Sequence, residues 1–252
     1  MKPTKYKEIN ELLQQLLTQI KSILADKFVG MYIGGSLSSD SFQCETSDID
    51  CYIIAASKLS KSVLKNIERM HNQFYLSKLK YAQKIEASYI PQKDLLHFNP
   101  SGIRPYFNEG CYYLGEYGNN YIIELHVLRE KGISISGPDI KSLIKKISPQ
   151  DLILAIQKNL HEYWEVILSD LSKFKRSDYQ VFAILTMCRT LYSLETGAIT
   201  SKIEAAQWTL QRLDRWKNLI EHAITWNPGQ ELNKVDETQQ FIKYTINKCH
   251  DY

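Results

Sequence analysis

Two aspartates in the first quarter of the chain have the type and spacing needed to bind a metal ion. Asp48 and Asp50 follow a glycine–glycine–serine turn at positions 34–36 and a polar loop. Alternate side chains of a β-strand project from the same face, so on a strand these two carboxylates would lie side by side. Adjacent carboxylates repel each other unless a cation neutralises them, and Mg²⁺ takes one or two protein carboxylates together with substrate phosphates.

The turn before the aspartates could bind the phosphates of such a substrate. Because glycine has no Cβ atom, Gly34 and Gly35 allow a phosphate to approach backbone N–H groups closely. The whole stretch therefore predicts a site for a metal-bound nucleoside triphosphate. The alternative is a strand edge after a hairpin, with aspartates that face water.

A third carboxylate lies on a predicted strand farther along the chain. Apolar and polar residues alternate strictly over positions 84–90, which puts Glu86 on the polar face. Next to two metal-binding aspartates, Glu86 could accept the proton of an attacking hydroxyl group or complete the metal site. The alternative is a surface strand whose charged side faces water, and periodicity alone fits that alternative better.

Helices and strands around these residues alternate in a way that would build a sheet. Apolar residues recur at helical spacing over positions 6–24 and 57–79, and short apolar runs at 28–33 and 49–55 predict strands. The second helix would cross over one face of the sheet before the strand at 84–90.

Positions 91–118 read as a long loop rich in tyrosine and glycine. Long loops in compact domains are often functional. With its tyrosines and two acidic residues, Glu109 and Glu116, this loop could wall a pocket for a polar cationic ligand. The alternative is an aromatic loop packed on the sheet. Beyond it, positions 121–128 predict a strand on which Glu124 or His126 could face the site, although a lone histidine there is more often structural.

A short strand at 133–136 precedes Gly137-Pro138, and after position 146 the pattern becomes wholly helical. We expect an α+β protein with a mixed-sheet domain at 1–146 and an all-α bundle of about five helices at 147–252. One predicted helical stripe consists of Leu152, Ala155, Ile156, Leu160, Tyr163, Ile167 and Leu171. Gly197 would end one helix, and Ser201 with Glu204 would start the next through a capping box.

Composition narrows the possible partners and compartment. The chain has 252 residues and a net charge of +3, without a long block of lysine or arginine, which disfavours a nucleic acid partner. The five cysteines lack C-x-x-C spacing, which argues against zinc or a redox pair. The amino terminus does not have the pattern of a signal peptide, and no run of about 18 apolar residues could span a membrane. We expect a cytoplasmic monomer with free thiols.

Two segments carry a resemblance to a known family. Gly35-Ser36 followed by Asp48-x-Asp50 resembles the signature of the nucleotidyltransferase superfamily, and the run 47–50 is similar to the form in bacterial aminoglycoside adenylyltransferases. The run from Cys188 to Lys202, which continues into 205–208, resembles the carboxy-terminal domain of the streptomycin/spectinomycin adenylyltransferases.

The resemblance implies roles for particular residues. Glu86 corresponds to the catalytic base, and Arg189 and Lys202 to residues that contact the ATP phosphates. An aromatic residue near Trp226 helps to hold the nucleotide in that family. Tyr117 stands where a tryptophan usually contacts streptomycin.

The acidic residues that bind the cationic drug just before the arginine helix are represented here by Asp178. Lys173, Lys175 and Arg176 lie close to it in sequence. These basic residues suit a tri-cationic sugar poorly.

The resulting hypothesis is transfer of AMP from ATP to a hydroxyl group of a small molecule, an aminoglycoside or aminocyclitol antibiotic, with Mg²⁺ as cofactor. Asp48, Asp50 and Glu86 would bind the metal, while Ser36 and Ser47 would hold phosphate oxygens. Such an enzyme would confer antibiotic resistance. Two alternatives stay open: the same chemistry on a protein or RNA acceptor, and a nucleotide-binding homologue without turnover.

Overall fold

A computed structural model describes residues 3–96, 101–108, 110–118 and 120–252 of the protein. The chain divides into two compact units, Met1–Lys146 and Ile147–Tyr252. The first contains a mixed β-sheet with helices and the second is helical, so the predicted α+β fold class is confirmed.

In the described part of the first unit, six strands form one sheet. The strands are β1 (Phe28–Ile33), β2 (Ile49–Ala55), β3 (Ile85–Pro91), β4 (Ile103–Asn108), β5 (Cys111–Glu116) and β6 (Ile133–Ser136). Their order across the sheet is β5-β4-β3-β2-β1-β6. The pair β2 and β3 is parallel, and the other neighbouring pairs are antiparallel. The bounds of β1, β2 and β6 confirm the predicted strands.

The helices of this unit are α1 (Lys7–Leu24), α2 (Gly35–Ser38), α3 (Lys61–Tyr75), α4 (Asn120–Lys131) and α5 (Ile140–Leu143). Helix α3 is the crossover that a parallel β2–β3 pair requires, as predicted. The apolar faces of α1 and α3 share one core with alternate residues of the strands, among them Ile49, Cys51 and Ile53 of β2. Residues at the intervening positions of the strands, which include Asp50 and Glu86, therefore face the opposite side of the sheet.

The prediction of a strand at 121–128 is wrong, because this segment lies in α4. Its β-branched residues favour a strand locally. Tyr121, Leu125 and Leu128 are nevertheless spaced to form one helical stripe, and these are the residues that the fold buries. Packing of that stripe outweighs local propensity.

The prediction of a long loop at 91–118 is also wrong over much of its length. Strands β4 and β5 form a hairpin, with Gly110 in its turn at φ +76°. Pro105 favoured a loop at the sequence level because proline has no N–H group for a strand ladder. In the structure, β4 pairs with β3 through Tyr106 and Phe107. Pro105 lies outside these pairs, so its missing N–H group does not interrupt the ladder with β3.

The second unit consists of helices and turns. Its helices are α6 (Pro149–Asn159), α7 (Glu165–Ile167), α8 (Leu171–Phe174), α9 (Ser177–Thr196), α10 (Lys202–Leu210), α11 (Lys217–Thr225) and α12 (Val235–Cys249). Gly197 ends α9 in the left-handed conformation at φ +65°, and Ser201 with Glu204 forms the predicted capping box at the start of α10.

One predicted buried stripe is wrong at two positions. A π-helical turn, Leu160–Trp164, lies between α6 and α7. Within that turn Trp164 is 2% exposed, whereas Tyr163, expected in the stripe, is 39% exposed; Leu171, also expected there, is 57% exposed. Periodicity based on 3.6 residues per turn cannot anticipate this insertion.

Two further expectations concern the cysteines and membrane-spanning helices. Cys44, Cys51, Cys111, Cys188 and Cys249 are free thiols. Of the helices in the described ranges, none has the length and apolar character needed to cross a membrane.

Candidate active site

Asp50 and Glu86 lie next to each other on the face of the sheet opposite the core formed with α1 and α3. They occupy paired positions on the parallel strands β2 and β3. Paired residues on adjacent strands point to the same face and stand roughly 5 Å apart. Their negative field reaches the buried thiol of Cys51, whose pKa is raised first by burial and then by the carboxylates of Asp50 and Glu86. The structure thus brings together two of the predicted carboxylates.

The third predicted carboxylate, Asp48, precedes β2 instead of lying on it, so the expectation of two aspartates on one strand is wrong. Asp48 is exposed, at the end of the loop that leads into β2. The hydroxyl of Ser47 accepts a 3.0 Å hydrogen bond from the backbone N–H of Gln43, which orders that loop. Lys84 Nζ fixes it further by donating to the carbonyl of Glu45 at 2.7 Å.

The glycine turn packs directly against Asp50. The N–H group of Gly34 donates to the backbone carbonyl of Asp50 at 3.0 Å. Gly35 has φ +59°, and a Cβ atom there would lie 1.7 Å from Oδ2 of Asp50. Glycine is therefore required at position 35 both by its backbone conformation and by the closeness of the carboxylate. Ser36 follows within the short helix α2.

Tyr52 lies near both these carboxylates and a second charged group, an ion pair whose glutamate the sequence analysis named and whose arginine it missed. It follows Asp50 by two residues on β2 and so lies on the same face. Its ring packs where a Cβ atom of Gly34 would be, 2.7 Å from that position. Burial raises the pKa of the Tyr52 hydroxyl well above 10, and the nearby carboxylates of Glu124 and Asp50 raise it further.

The second charged group is an ion pair between Arg104 and Glu124. Arg104 is 1% exposed, and its Nη2 donates to Glu124 Oε2 at 2.8 Å. Burial opposes the guanidinium charge most strongly, but Glu124 and Tyr106 together outweigh it, so the pKa of Arg104 is raised. The guanidinium also stacks on the rings of Tyr106, Tyr117 and Tyr121, with its Cζ atom 4.5–5.0 Å from the ring centroids. The sequence signal for this cluster was a single arginine within an aromatic run.

This cluster determines where the predicted substrate residue Tyr117 lies. Tyr117 is 5% exposed, and its hydroxyl donates to Asp94 Oδ2 at 2.8 Å. Its ring packs on that of Tyr121 with centroids 4.4 Å apart. The structure thus places Tyr117 in the interior of the aromatic cluster. Glu116 is exposed at the end of β5, and Glu109 lies outside the described residues.

The predicted site residues of the helical unit are distributed over its helices and one loop. Arg189 is half-buried on α9, and Lys202 begins α10 with its Nζ 4.3 Å from the centroid of the Phe182 ring. The indole N–H of Trp226, just after α11, donates to the carbonyl of Gln230 at 2.9 Å. Asp178 forms an ion pair with Arg176. The hydrogen bonds from Arg176 are the main reason that the pKa of Asp178 is lowered.

The donor set of the first unit fits a magnesium ion that also binds substrate. Within the described ranges, no group of three or more histidine, cysteine, aspartate or glutamate side chains is arranged to hold a metal by itself. Mg²⁺ needs only one or two protein carboxylates when phosphates supply further ligands. Asp50 with Asp48 would meet that requirement, and Glu86, paired with Asp50 across the sheet, stays a predicted third ligand or base.

The chain is similar to several known proteins. Residues 142–251 match the family model described as "Aminoglycoside adenylyltransferase, C-terminal domain". The chain is 27% identical over 257 residues to a spectinomycin 9-adenylyltransferase of Campylobacter jejuni, with 94% of each chain covered. It is 25% identical over 214 residues to the enzyme of that name from Staphylococcus aureus, with 80% of this chain and 78% of the relative covered.

A solved structure shares the fold. It is the spectinomycin adenyltransferase AAD(9) from Enterococcus faecialis with ATP and spectinomycin, at a TM-score of 0.72 and 20% sequence identity, covering 95% of this chain and 98% of that one. The chain therefore shares the fold of that adenyltransferase and has a carboxylate pair beside a glycine turn. Its similarity to spectinomycin and aminoglycoside adenylyltransferases supports nucleotidyltransferase activity.

Proposed function

We propose that the protein transfers AMP from ATP to a hydroxyl group of an aminocyclitol or aminoglycoside antibiotic, with Mg²⁺ as cofactor. The observation that carries this proposal is the pairing of Asp50 with Glu86 on adjacent parallel strands, directly beside the Gly34–Gly35 turn. Within this pair, Asp50 would bind a hard cation and Glu86 would accept a proton, while the turn gives phosphate groups access to backbone N–H donors.

Each carboxylate has a separate task in this proposal. Asp50 and Asp48 would hold the metal ion, which would neutralise charge on the bound triphosphate. Glu86 accepts the proton of the acceptor hydroxyl while the oxygen of that hydroxyl attacks the α-phosphorus of ATP. The bond from the α-phosphorus to the oxygen that bridges it to the β-phosphorus then breaks, and pyrophosphate leaves. Reactions of this kind depend on positioning and charge neutralisation.

The remaining predicted residues bind the nucleotide. Ser36 and Ser47, which flank the loop between the turn and β2, would donate to phosphate oxygens. Arg189 and Lys202 would neutralise the charge that develops on the leaving pyrophosphate, and Trp226 would hold the nucleotide. The match of 142–251 to the adenylyltransferase carboxy-terminal domain supports these three assignments.

Spectinomycin is the acceptor that the relatives and the charges near Asp178 favour. The relatives in Campylobacter jejuni and Staphylococcus aureus are spectinomycin 9-adenylyltransferases. Asp178, the predicted contact for a cationic drug, is paired with Arg176, and Lys173 and Lys175 lie close in sequence. A strongly cationic acceptor such as streptomycin would meet repulsion there, so we infer that spectinomycin is preferred.

The proposal is tested with labelled ATP, Mg²⁺ and a panel of acceptors. We expect labelled AMP on spectinomycin and little on streptomycin, with release of pyrophosphate. Transfer to a protein or an RNA in the panel, but not to the antibiotics, would assign a different acceptor to the same chemistry. Binding of ATP without pyrophosphate release on any acceptor would contradict the proposal.

A further inference from the structure

The face of the sheet that carries Asp50 and Glu86 also carries an exposed aromatic side chain, to which the resemblance assigns no role. Tyr113 on β5 is 45% exposed, in contrast to the buried Tyr117. It pairs with Tyr106 of β4, which in turn pairs with Ser88 of β3. Ser88 lies two residues beyond Glu86 on the same strand, so Tyr113 and Glu86 share one face.

Tyr113 and Glu86 are separated by a distance that a small-molecule acceptor could span. It is two strands away across the sheet and one two-residue step along the strand direction. With the usual strand spacing and rise, the two Cα atoms are roughly 12 Å apart. The charge of Glu86 reaches the Tyr113 hydroxyl, whose pKa is raised first by burial and then by that carboxylate.

Tyr113 is also held rigidly. Its ring stacks on that of Tyr106 with centroids 5.2 Å apart and an interplanar angle of 10°. Tyr106 is itself held by Arg104, whose Nε donates to the Tyr106 hydroxyl. Gly115 allows both rings to lie flat, because a Cβ atom there would be 3.0 Å from the Tyr106 ring and 3.3 Å from the Tyr113 ring. An exposed ring held in this way has lost its conformational freedom before any ligand binds.

We propose that Tyr113 is a specificity-determining residue that stacks against the ring system of the acceptor and so presents an acceptor hydroxyl to Glu86. The inference rests on the proposed function and adds a contact to it. The face of an aromatic ring attracts cations and offers a flat apolar surface, which suits the aliphatic C–H groups and ammonium groups of an aminocyclitol. In this chain Tyr113 takes over the contact that the resemblance assigns to Tyr117.

The test compares Tyr113→Ala with Leu114→Ala. Leu114 is the next residue of β5, is 59% exposed and points to the opposite face, so it is a matched control. We expect Tyr113→Ala to raise the KM for spectinomycin roughly tenfold, the size of a cation–π contact at a partly exposed site, and to leave the KM for ATP unchanged. Leu114→Ala should leave both unchanged. Tyr113→Phe and Tyr113→Trp keep the ring and should keep the wild-type KM.

Titration calorimetry with spectinomycin separates this inference from the proposed function. Weaker binding by Tyr113→Ala than by Leu114→Ala supports the inference even if no AMP is transferred. Equal binding by the wild type and Tyr113→Ala overturns it, whatever the transfer assay shows. A loss as large in Tyr113→Phe as in Tyr113→Ala would also overturn it, because stacking does not need the hydroxyl. No binding by the wild-type protein would overturn both proposals.

Discussion

Replacing Gly35 with alanine should separate the catalytic geometry from the stability of the fold. A Cβ atom at position 35 would lie 1.7 Å from Asp50 Oδ2, whereas ordinary contacts begin near 3.4 Å, so the carboxylate must retreat by about 1.7 Å. A displacement of roughly 1 Å can reduce the rate of a positioned reaction about 100-fold. We expect Gly35→Ala to reduce AMP transfer at least that much.

The cost to stability should be much smaller. Alanine at φ +59° destabilises the backbone by roughly 1–2 kcal/mol. Gly118→Ala is the matched control, because Gly118 has φ +66° and a Cβ atom there would meet nothing within 4 Å. Both variants should lose similar stability in thermal unfolding, while only Gly35→Ala loses transfer. If Gly35→Ala kept a rate within a few-fold of wild type, Asp50 would not have the proposed role in metal binding.

Three further predictions concern stability. Glu124→Gln leaves the buried guanidinium of Arg104 without its charge partner and should lower the free energy of unfolding by about 3 kcal/mol, measured in urea. Ser201→Ala removes the side-chain acceptor for the N–H group of Glu204 at the start of α10 and should cost about 1 kcal/mol in the same assay. Burial lowers the pKa of His71 from 6.5 to about 3, so the unfolded state binds more protons in that range and stability falls as the pH drops through it. His71→Phe should reduce this slope by up to about 1.4 kcal/mol per pH unit in unfolding titrations.

Each of these predictions has a contradicting result. Unchanged stability of Glu124→Gln would mean that solvent or another group compensates Arg104. A Ser201→Ala variant as stable as wild type would mean that the capping box contributes little to α10. A pH slope equal in His71→Phe and wild type would mean that His71 is not neutral in the folded protein.

The sequence predicts those parts of the site that depend on local pattern. Strict alternation placed Glu86 on one face of a strand, and the strand bounds around Asp50 agree with the apolar run at 49–55. The capping pair Ser201 and Glu204 is equally local. None of these signals contains the strand order, so the direct pairing of Asp50 with Glu86 became visible only in the sheet.

The errors arise where tertiary contacts overrule local preference. The segment 121–128 forms a helix because burial of Tyr121, Leu125 and Leu128 outweighs its β-branched residues. The hairpin of β4 and β5 was obscured by its proline and glycines, whose conformations the sheet accommodates. Because the hairpin was not predicted, neither the burial of Arg104 nor the difference between exposed Tyr113 and buried Tyr117 could be predicted.

The most direct test of the central claim is a comparison of wild-type protein with Glu86→Gln, using Mg-ATP, spectinomycin and mass spectrometry of the antibiotic. The amide keeps the shape of the side chain but accepts a proton far less readily. We expect adenylylated spectinomycin from the wild type, and from Glu86→Gln nearly unchanged ATP binding with almost no product. Full turnover by Glu86→Gln would contradict the assignment of Glu86 as the base, and no adenylylated product from the wild type would contradict the proposed reaction.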